Sequence, residues 1–392
     1  EHFKIHKKMS STNLKILFAG GGSGGHIYPL VAVVEEIKKV AEVSNISLEL
    51  SYMGPKDEFN NLLAGVGDLK IIPILGAKVR RYFSLANLLD GPKFVISIFQ
   101  AIIKTFWLMP DVTFSKGGTG GFPVVFASWL FRIPVIIHES DAIPGVTNLV
   151  SAKFSKRIAV SFEKTSQYFD LQKTAWVGSP IRNDLDDFRM DQNSAKEQLQ
   201  FNSEEPLLLV LGGSQGSTRL NEFVITNLAD LIKDTQILHQ AGSANFNEAK
   251  NLSRAALSET TLQEEIKHRY QIVPFLENDL KYAFAAADLI VSRAGSGTIF
   301  EIAAFGKPAI LIPLKESAND HQKMNAFEFA KNGGGVVIEE ENLLPHIFLN
   351  QIQNLIKNKE VLNKMSLASK NFFKPGAAKT IAEEILKLGT ST

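Results

Sequence analysis

The sequence predicts an α/β chain made of two doubly wound, parallel-sheet domains facing a cleft. Three observations carry this. A buried-strand pattern, Leu14-Lys-Ile-Leu-Phe-Ala19, runs into the glycine loop Gly20-Gly-Gly-Ser-Gly-Gly25 and then into a helical pattern from His26 to about Val40, with Leu30, Val33, Val34 and Ile37 on one face. The same opening returns at Pro206-Leu-Leu-Leu-Val-Leu211, followed by Gly212-Gly-Ser-Gln-Gly-Ser217 and a second helix. Elsewhere apolar runs of strand length alternate with helical patterns, which implies parallel strands joined by helical crossovers.

In chain order, further strands are predicted at 46–52, 70–74, 111–115, 134–138, 157–160 and 173–177. The polar, turn-rich stretch Gly178-Ser-Pro-Ile-Arg-Asn-Asp-Leu-Asp-Asp187 reads as a linker. Beyond the second opening, strands are expected at 235–239, 270–274, 288–292, 308–313 and 335–338, and from about Leu343 the pattern is helical only. Met9 reads as the native start, with residues 1–8 outside the fold. The basic stretch before Met9 is followed by no apolar run ending in small residues, so no signal peptide is expected.

Composition narrows the chemistry. The 42 basic and 41 acidic residues give a net charge of +1, a poor basis for nucleic-acid binding, and no nucleic-acid partner is expected. With no cysteine there is no disulfide, thiolate metal site or cysteine nucleophile. The longest apolar stretch, Phe94 to Met109, is interrupted by Gln100 and Lys104 and is too short for a span of about 20 residues. It reads as an ordinary amphipathic helix packed on the sheet.

Four glycine-rich loops follow strands: Gly20–Gly25, Gly117-Gly-Thr-Gly-Gly121, Gly212–Gly216 and Ala294-Gly-Ser-Gly297. Glycine admits a ligand close to the backbone, and the next helix offers unpaired N–H groups to a phosphate. Four such loops in two domains point to a nucleotide or diphosphate ligand. The first loop is neither a dinucleotide fingerprint, since no acidic residue ends the second strand, nor a P-loop, since no Gly-Lys-Ser/Thr follows. His26 instead stands at the helix start, where the helix dipole favours neutral imidazole. Val135-Ile-Ile-His-Glu-Ser-Asp141 ends a buried strand in titratable residues, Glu139 and Asp141 among them. In Ser292-Arg-Ala-Gly-Ser-Gly-Thr-Ile-Phe-Glu301, Ser296 and Thr298 are placed to cap a helix and reach a phosphate, and Glu301 to accept from a ribose diol. Asn319-Asp-His-Gln322 and Asn325 suit sugar hydroxyls. Asp184-Leu-Asp186 matches a metal-binding D-x-D pattern but lies in a charged linker, so it reads as solvated surface.

Taken in order, these motifs resemble the MurG family of bacterial peptidoglycan glycosyltransferases, glycosyltransferase family 28. The residues that carry the resemblance are Gly20–His26 with Pro29, Gly117–Pro123, His138–Asp141 with Pro144, Gly145 and Asn148, Gly178–Arg182, Gly212–Gly216, Arg293–Glu301, and His321-Gln322 with Asn325-Ala326. The resemblance implies a GT-B architecture of two Rossmann-like domains: an acceptor and membrane-side domain at 9–180, a UDP-sugar domain at 181–375, and a last helix, 376–392, returning to the first. It implies transfer of N-acetylglucosamine from UDP-N-acetylglucosamine to lipid I, giving lipid II, with no metal or cofactor. Carried over by position, Arg182, Ser214, Leu276, Ser296, Gly297, Thr298, Ile299, Phe300, Glu301, His321 and Gln322 hold the UDP-sugar, Leu276 beside the uracil. Ser23, Gly24 and Gly25 face the reacting sugar and acceptor, with Asp141 and Asn148 nearby. Many family members have asparagine where this chain has Asp141. Other readings of the same architecture are a transferase acting on diacylglycerol and a UDP-N-acetylglucosamine epimerase.

The expected reaction is one inverting displacement, with His26 the leading general base and Glu139 the second candidate. A lipid-linked acceptor requires contact with an anionic membrane, peripherally at the cytoplasmic face of the plasma membrane. Lys78-Val-Arg-Arg-Tyr-Phe83 with Leu85, Leu88 and Leu89 mixes basic and apolar residues in the way such a contact needs.

Overall fold

The computed structural model describes residues 13–22, 24–56, 60–76, 85–118, 120–213, 216–258 and 268–391, with side chains omitted at 60, 85–90 and 318. The chain forms two compact units. Unit 1 runs to Ser140, resumes over Pro144–Arg182 and takes in Gly376–Thr392; unit 2 comprises Asp141–Ile143 and Asn183–Pro375.

Unit 1 holds seven parallel strands: β1 (Asn13–Ala19), β2 (Ser47–Pro55), β3 (Leu69–Ile74), β4 (Val112–Ser115), β5 (Val135–Glu139), β6 (Arg157–Val160) and β7 (Thr174–Trp176), in the order β3-β2-β1-β4-β5-β6-β7. The β1–β2 register pairs Leu14 with Leu48 and Phe18 with Tyr52; β1–β4 pairs Phe18 with Phe114. Leu14, Ile16 and Phe18 meet Ile27, Leu30, Val33 and Val34 of helix Gly24–Ser44 in one core. Helix Ala377–Thr390 completes that core with Ile381, Ala382, Ile385 and Leu386. Strand order reverses between β1 and β4, so the loops after these strands flank the switch point, where doubly wound sheets bind ligands.

Unit 2 repeats the plan with six parallel strands: β8 (Leu207–Leu211), β9 (Gln236–Gln240), β10 (Tyr270–Val273), β11 (Leu289–Ser292), β12 (Ala309–Leu311) and β13 (Gly335–Val337), ordered β10-β9-β8-β11-β12-β13. Its switch point lies between β8 and β11. The four glycine loops of the sequence therefore fall two and two at the two switch points.

Helix Leu85–Leu108 holds nearly all of the Phe94–Met109 stretch, expected as an amphipathic helix packed on the sheet, but its large side chains are not the ones that pack. Instead Ser97, Ala101 and Thr105 are the buried positions, four residues apart, and Ala101 packs with Leu17, Met53, Val124 and Ala127. Val95, Ile96, Phe99, Ile103, Phe106 and Trp107 form an outward stripe, with Phe99 61% and Trp107 80% exposed. Small inward residues let the helix approach its neighbours closely and leave its apolar bulk outside. Trp129 and Leu130, which end helix Gly121–Leu130, are exposed as well.

Unit 2 contains a buried titratable group away from the loops. His239 on β9 bonds Tyr270 Oη through Nδ1 at 2.9 Å and Asn221 Oδ1 through Nε2 at 3.0 Å. Burial lowers its pKa from 6.5 to about 4. The folded state thus binds fewer protons than the unfolded state in this window, so stability is lost as pH falls from 6.5 towards 4. The loss is expected to total about 3 kcal/mol. Urea unfolding of the wild type and of His239→Gln at pH 7 and pH 5 checks this: the variant loses less between the two pH values.

Candidate functional site

In unit 1 the loops after β1 and β4 press directly on each other. A Cβ on Gly118 would lie 2.2 Å from the Gly21 carbonyl oxygen and 3.4 Å from His26 Cε1; one on Gly120 would lie 2.6 Å from Pro55 Cδ. Gly21 and Gly118 have φ of 116° and 78°, so glycine is needed there for conformation as well as space. Tyr52 Oη donates to the Gly20 carbonyl at 3.0 Å. The end of β2, where a ribose carboxylate would stand in a dinucleotide site, is thus filled by Tyr52, Gly54 and Pro55 packed on the first loop. His26 is half-buried in the first turn of its helix, behind buried Gly24 and exposed Gly25; Ser23 lies outside the described residues.

Glu139 closes β5 and is buried. Its Oε2 accepts from Gly145 N at 3.0 Å and Asn148 Nδ2 at 2.9 Å, which fixes the entry of helix Val146–Ser151. Asn148 Oδ1 is buried and finds no hydrogen-bond partner among the described residues, and a Cβ on Gly117 would meet it at 2.7 Å. The chain of contacts Glu139, Asn148, Gly117–Gly118, His26 thus gathers four sequence-predicted features on one edge of the sheet. Two neighbours were not singled out from the sequence. Lys116, buried after β4, donates to Ser140 Oγ. His138 reaches the Gly178 carbonyl and Ser161 Oγ, both at 3.2 Å, and burial, then the Lys116 charge, hold its pKa well below the usual range. Arg182 lies over the Tyr28 ring, 5.9 Å from its centroid.

In unit 2 the loop after β8 is packed at Gly216, where a Cβ would lie 2.4 Å from the Ala241 carbonyl oxygen, but the loop after β11 is open. Nothing described lies within 4 Å of a Cβ placed on Gly213, Gly295 or Gly297. Helix Ser296–Ala304 is capped by Gly295, not by Ser296 or Thr298 as the sequence suggested, and Gly295 has no side chain to satisfy the helix start. No described residue accepts from the amides of Ser296, Gly297 and Thr298, so three donors and the positive helix end face open space. Ile299 and Phe300 are buried, and the Ile299 amide donates to the Gly295 carbonyl at 3.0 Å, so neither is placed to touch a ligand. Glu301 is half-buried one turn in.

Helix His321–Lys331 starts after two left-handed residues, Asn319 (φ 56°) and Asp320 (φ 52°). This uncommon turn aims His321 and Gln322. Gln322 Oε1 accepts from Leu314 N at 3.0 Å, and no described residue takes its amide hydrogens. Asn325, expected among sugar contacts, is fully buried: it accepts from Ala142 N at 2.8 Å and donates to Asp141 Oδ1 at 2.9 Å. Leu276 is buried, its amide donating to Gln240 Oε1 at 2.9 Å. Ser214 lies outside the described residues. Arg293, also missed as a site residue, is buried at the end of β11.

Family models match both units: the glycosyltransferase family 28 N-terminal domain over residues 16–160 and its C-terminal domain over residues 207–381. A Clostridium tetani protein named UDP-N-acetylglucosamine–N-acetylmuramyl-(pentapeptide) pyrophosphoryl-undecaprenol N-acetylglucosamine transferase is 34% identical over 349 residues, covering 88% of this chain and 91% of the relative. A Clostridium novyi protein of the same name is 35% identical, covering 91% and 95%. Among solved structures, Acinetobacter baumannii MurG matches with a TM-score of 0.72 at 24% identity, covering 95% of this chain and 99% of that one. A UDP-GlcNAc 2-epimerase from Neisseria meningitidis, bound to UDP-GlcNAc, matches with 0.64 at 15% identity, covering 95% and 100%. Likeness at those identities speaks for the fold, which transferases and epimerases share. The sequence relatives separate the two, and with them this chain belongs to glycosyltransferase family 28.

Proposed function

We propose that the chain transfers N-acetylglucosamine from UDP-N-acetylglucosamine to the C4 hydroxyl of the N-acetylmuramoyl-pentapeptide sugar of lipid I, forming lipid II. The observation that carries the assignment of parts is the contrast between switch points. In unit 2 the loop after β11 is open and leads into three unpaired amides, as a nucleoside diphosphate requires; the loops of unit 1 are filled by each other. The donor therefore belongs to unit 2. The amides of Ser296, Gly297 and Thr298 meet its diphosphate, Glu301 its ribose, Gln322 its sugar hydroxyls, and Ser214, Leu276 and His321 complete the site. The acceptor belongs to unit 1, at Ser23–His26, with Asn148 nearby.

The acceptor oxygen attacks the anomeric carbon as the bond to the diphosphate breaks, so configuration inverts. UDP leaves as an anion, steadied by the helix start. The hydroxyl proton passes to the His26 imidazole. Glu139 keeps the second place as base, because it is buried and its Oε2 already accepts from Gly145 and Asn148. Transfer of labelled sugar from UDP-N-acetylglucosamine to a lipid I analogue tests the whole reading. Release of free sugar without acceptor would instead favour the epimerase.

Among the described residues no helix is long and apolar enough to cross a membrane. A lipid-linked acceptor nevertheless demands a membrane, and unit 1 offers a face for one. The expected basic patch at 78–89 falls where side chains are not described. The exposed stripe Val95–Trp107 with Trp129 and Leu130 is a large apolar patch, of a kind that marks interaction sites. Beside it a pocket of ≈ 370 Å³ is lined by Trp129 and Phe154 and by Arg132, Lys153, Lys156 and Lys173, with no acidic residue. Aromatic and basic residues side by side suit a peripheral seat on anionic lipid, at the cytoplasmic face. Phe99→Asp with Trp107→Asp is expected to weaken binding to anionic vesicles by well over tenfold, since each buried side chain contributes about 1.5–3 kcal/mol. Activity on a short-chain acceptor should persist. Unchanged vesicle binding would place the membrane contact elsewhere.

A further inference from the structure

Three consecutive glutamates follow β13, and each holds a cation from a different part of unit 2. Glu339 Oε2 accepts from Lys323 Nζ at 2.7 Å, next to Gln322. Glu341 Oε1 pairs at 2.5 Å with Lys315, in the segment that leads to helix His321–Lys331. These two pairs lie in solvent; hydrogen bonding to Lys315 lowers the pKa of Glu341, and Lys315 and Lys323 are raised in turn. Exposed pairs of this kind contribute little to stability.

Glu340 between them differs. Its side chain is only 3% exposed, and its two oxygens take two arginines: Oε1 the Arg293 guanidinium, Oε2 the Arg219 Nη1 at 2.9 Å. Arg293 in turn donates from Nε and Nη2 to Ser217 Oγ at 3.1 and 2.7 Å and from Nη1 to the Ile312 carbonyl at 3.2 Å. Ser217 directly follows the Gly212–Gly216 loop and caps helix Thr218–Thr226. Arg293 directly precedes the Ala294–Gly297 loop, and Ile312 follows β12. One buried carboxylate therefore ties together the ends of β8, β11 and β12. The fork geometry fixes the guanidinium in orientation as well as position. The Ala294–Gly297 loop is open at Gly295 and Gly297, so its position depends on the anchorage at its base.

The structure assigns Glu340 as a positioning residue for the donor: through Arg293 it holds Ser217, at the head of helix Thr218–Thr226, and the loop Arg293–Gly297 that leads to the amides meeting the diphosphate. This rests on the placement of the donor in unit 2. Glu340→Gln keeps the volume and one acceptor but turns an NH₂ group towards one of the two arginines. Because small displacements of positioning groups cost up to about a hundredfold, the Kd for UDP and the KM for UDP-N-acetylglucosamine are expected to rise about tenfold or more. The acceptor KM stays close to wild type, kcat falls less than the donor KM rises, and Glu340→Asp, which keeps the charge, recovers most of the loss. If Glu340→Gln does not fold, Ser217→Ala carries the test, with an expected rise in UDP Kd of about fivefold. A folded Glu340→Gln (or Ser217→Ala in its place) that binds UDP as the wild type does, or that changes kcat and both KM values together, overturns the assignment. A wild-type chain that itself binds no UDP overturns the donor placement and this role with it.

Discussion

Replacing His26 by alanine is expected to lower kcat by about 10²–10⁴-fold, the usual contribution of a positioned general base. The imidazole stands where the acceptor-side loops cross: a Cβ on Gly118 would come within 3.4 Å of its Cε1 and within 2.2 Å of the Gly21 carbonyl. A base there has a fixed platform, since neither loop can shift without the other. The affinity for UDP should not change, because the donor groups belong to unit 2. Steady-state kinetics over pH adds a second readout. With the imidazole gone, the acid limb of the kcat profile should vanish or move. Glu139→Gln separates the two candidates. That carboxylate is buried and holds Gly145 and Asn148, so its loss should disturb acceptor KM through the loop more than kcat at saturation. Near-normal kcat in His26→Ala together with a collapse in Glu139→Gln would reverse the assignment.

The periodicities that specify the fold are local, and so they were readable. Strand patterns of five or six apolar residues and glycine at the strand ends placed the strands of both sheets and all four loops. What a pattern of apolar residues does not reveal is which face goes inward. In helix Leu85–Leu108, Phe99, Ile103 and Phe106 have the spacing of a core face; the close approach of Ser97, Ala101 and Thr105 to their neighbours puts them outside. Nor does sequence show whether a glycine loop is open. Gly118 and Gly295 look alike as letters, yet one is packed against a carbonyl and the other faces nothing described. Asn325 looked like a sugar ligand because it is polar and near Gln322, but tertiary contacts with Asp141 and Ala142, far away in sequence, use it up. The Arg293–Glu340 pair was invisible for the same reason, since nothing local links a residue after β11 to one after β13.

Glu301→Ala should raise the Kd for UDP by roughly 10-fold to more than 100-fold, because each hydrogen bond from a ribose hydroxyl to a carboxylate contributes roughly 1.5–3 kcal/mol. The position follows from the helix start. Gly295 caps it, Ser296, Gly297 and Thr298 present unpaired amides, and Glu301 lies three to five residues on, one turn behind the site at which those amides hold phosphate. A ribose joined to that phosphate is within reach of a side chain there, and of few others, because Ile299 and Phe300 turn into the core. A carboxylate close to a diphosphate is otherwise unfavourable, as two like charges repel; it is worth having only if the diol donates to it. Calorimetry with UDP and 2′-deoxy-UDP distinguishes this from a general loss of structure. The wild type should prefer UDP, and Glu301→Ala should bind the two nearly alike, with kcat at saturating donor little changed. Glu301→Gln, which keeps one acceptor, should fall between. If Glu301→Ala binds UDP as tightly as the wild type, the ribose is held elsewhere. If it weakens both nucleotides equally while keeping the preference, Glu301 acts on the loop and not on the diol.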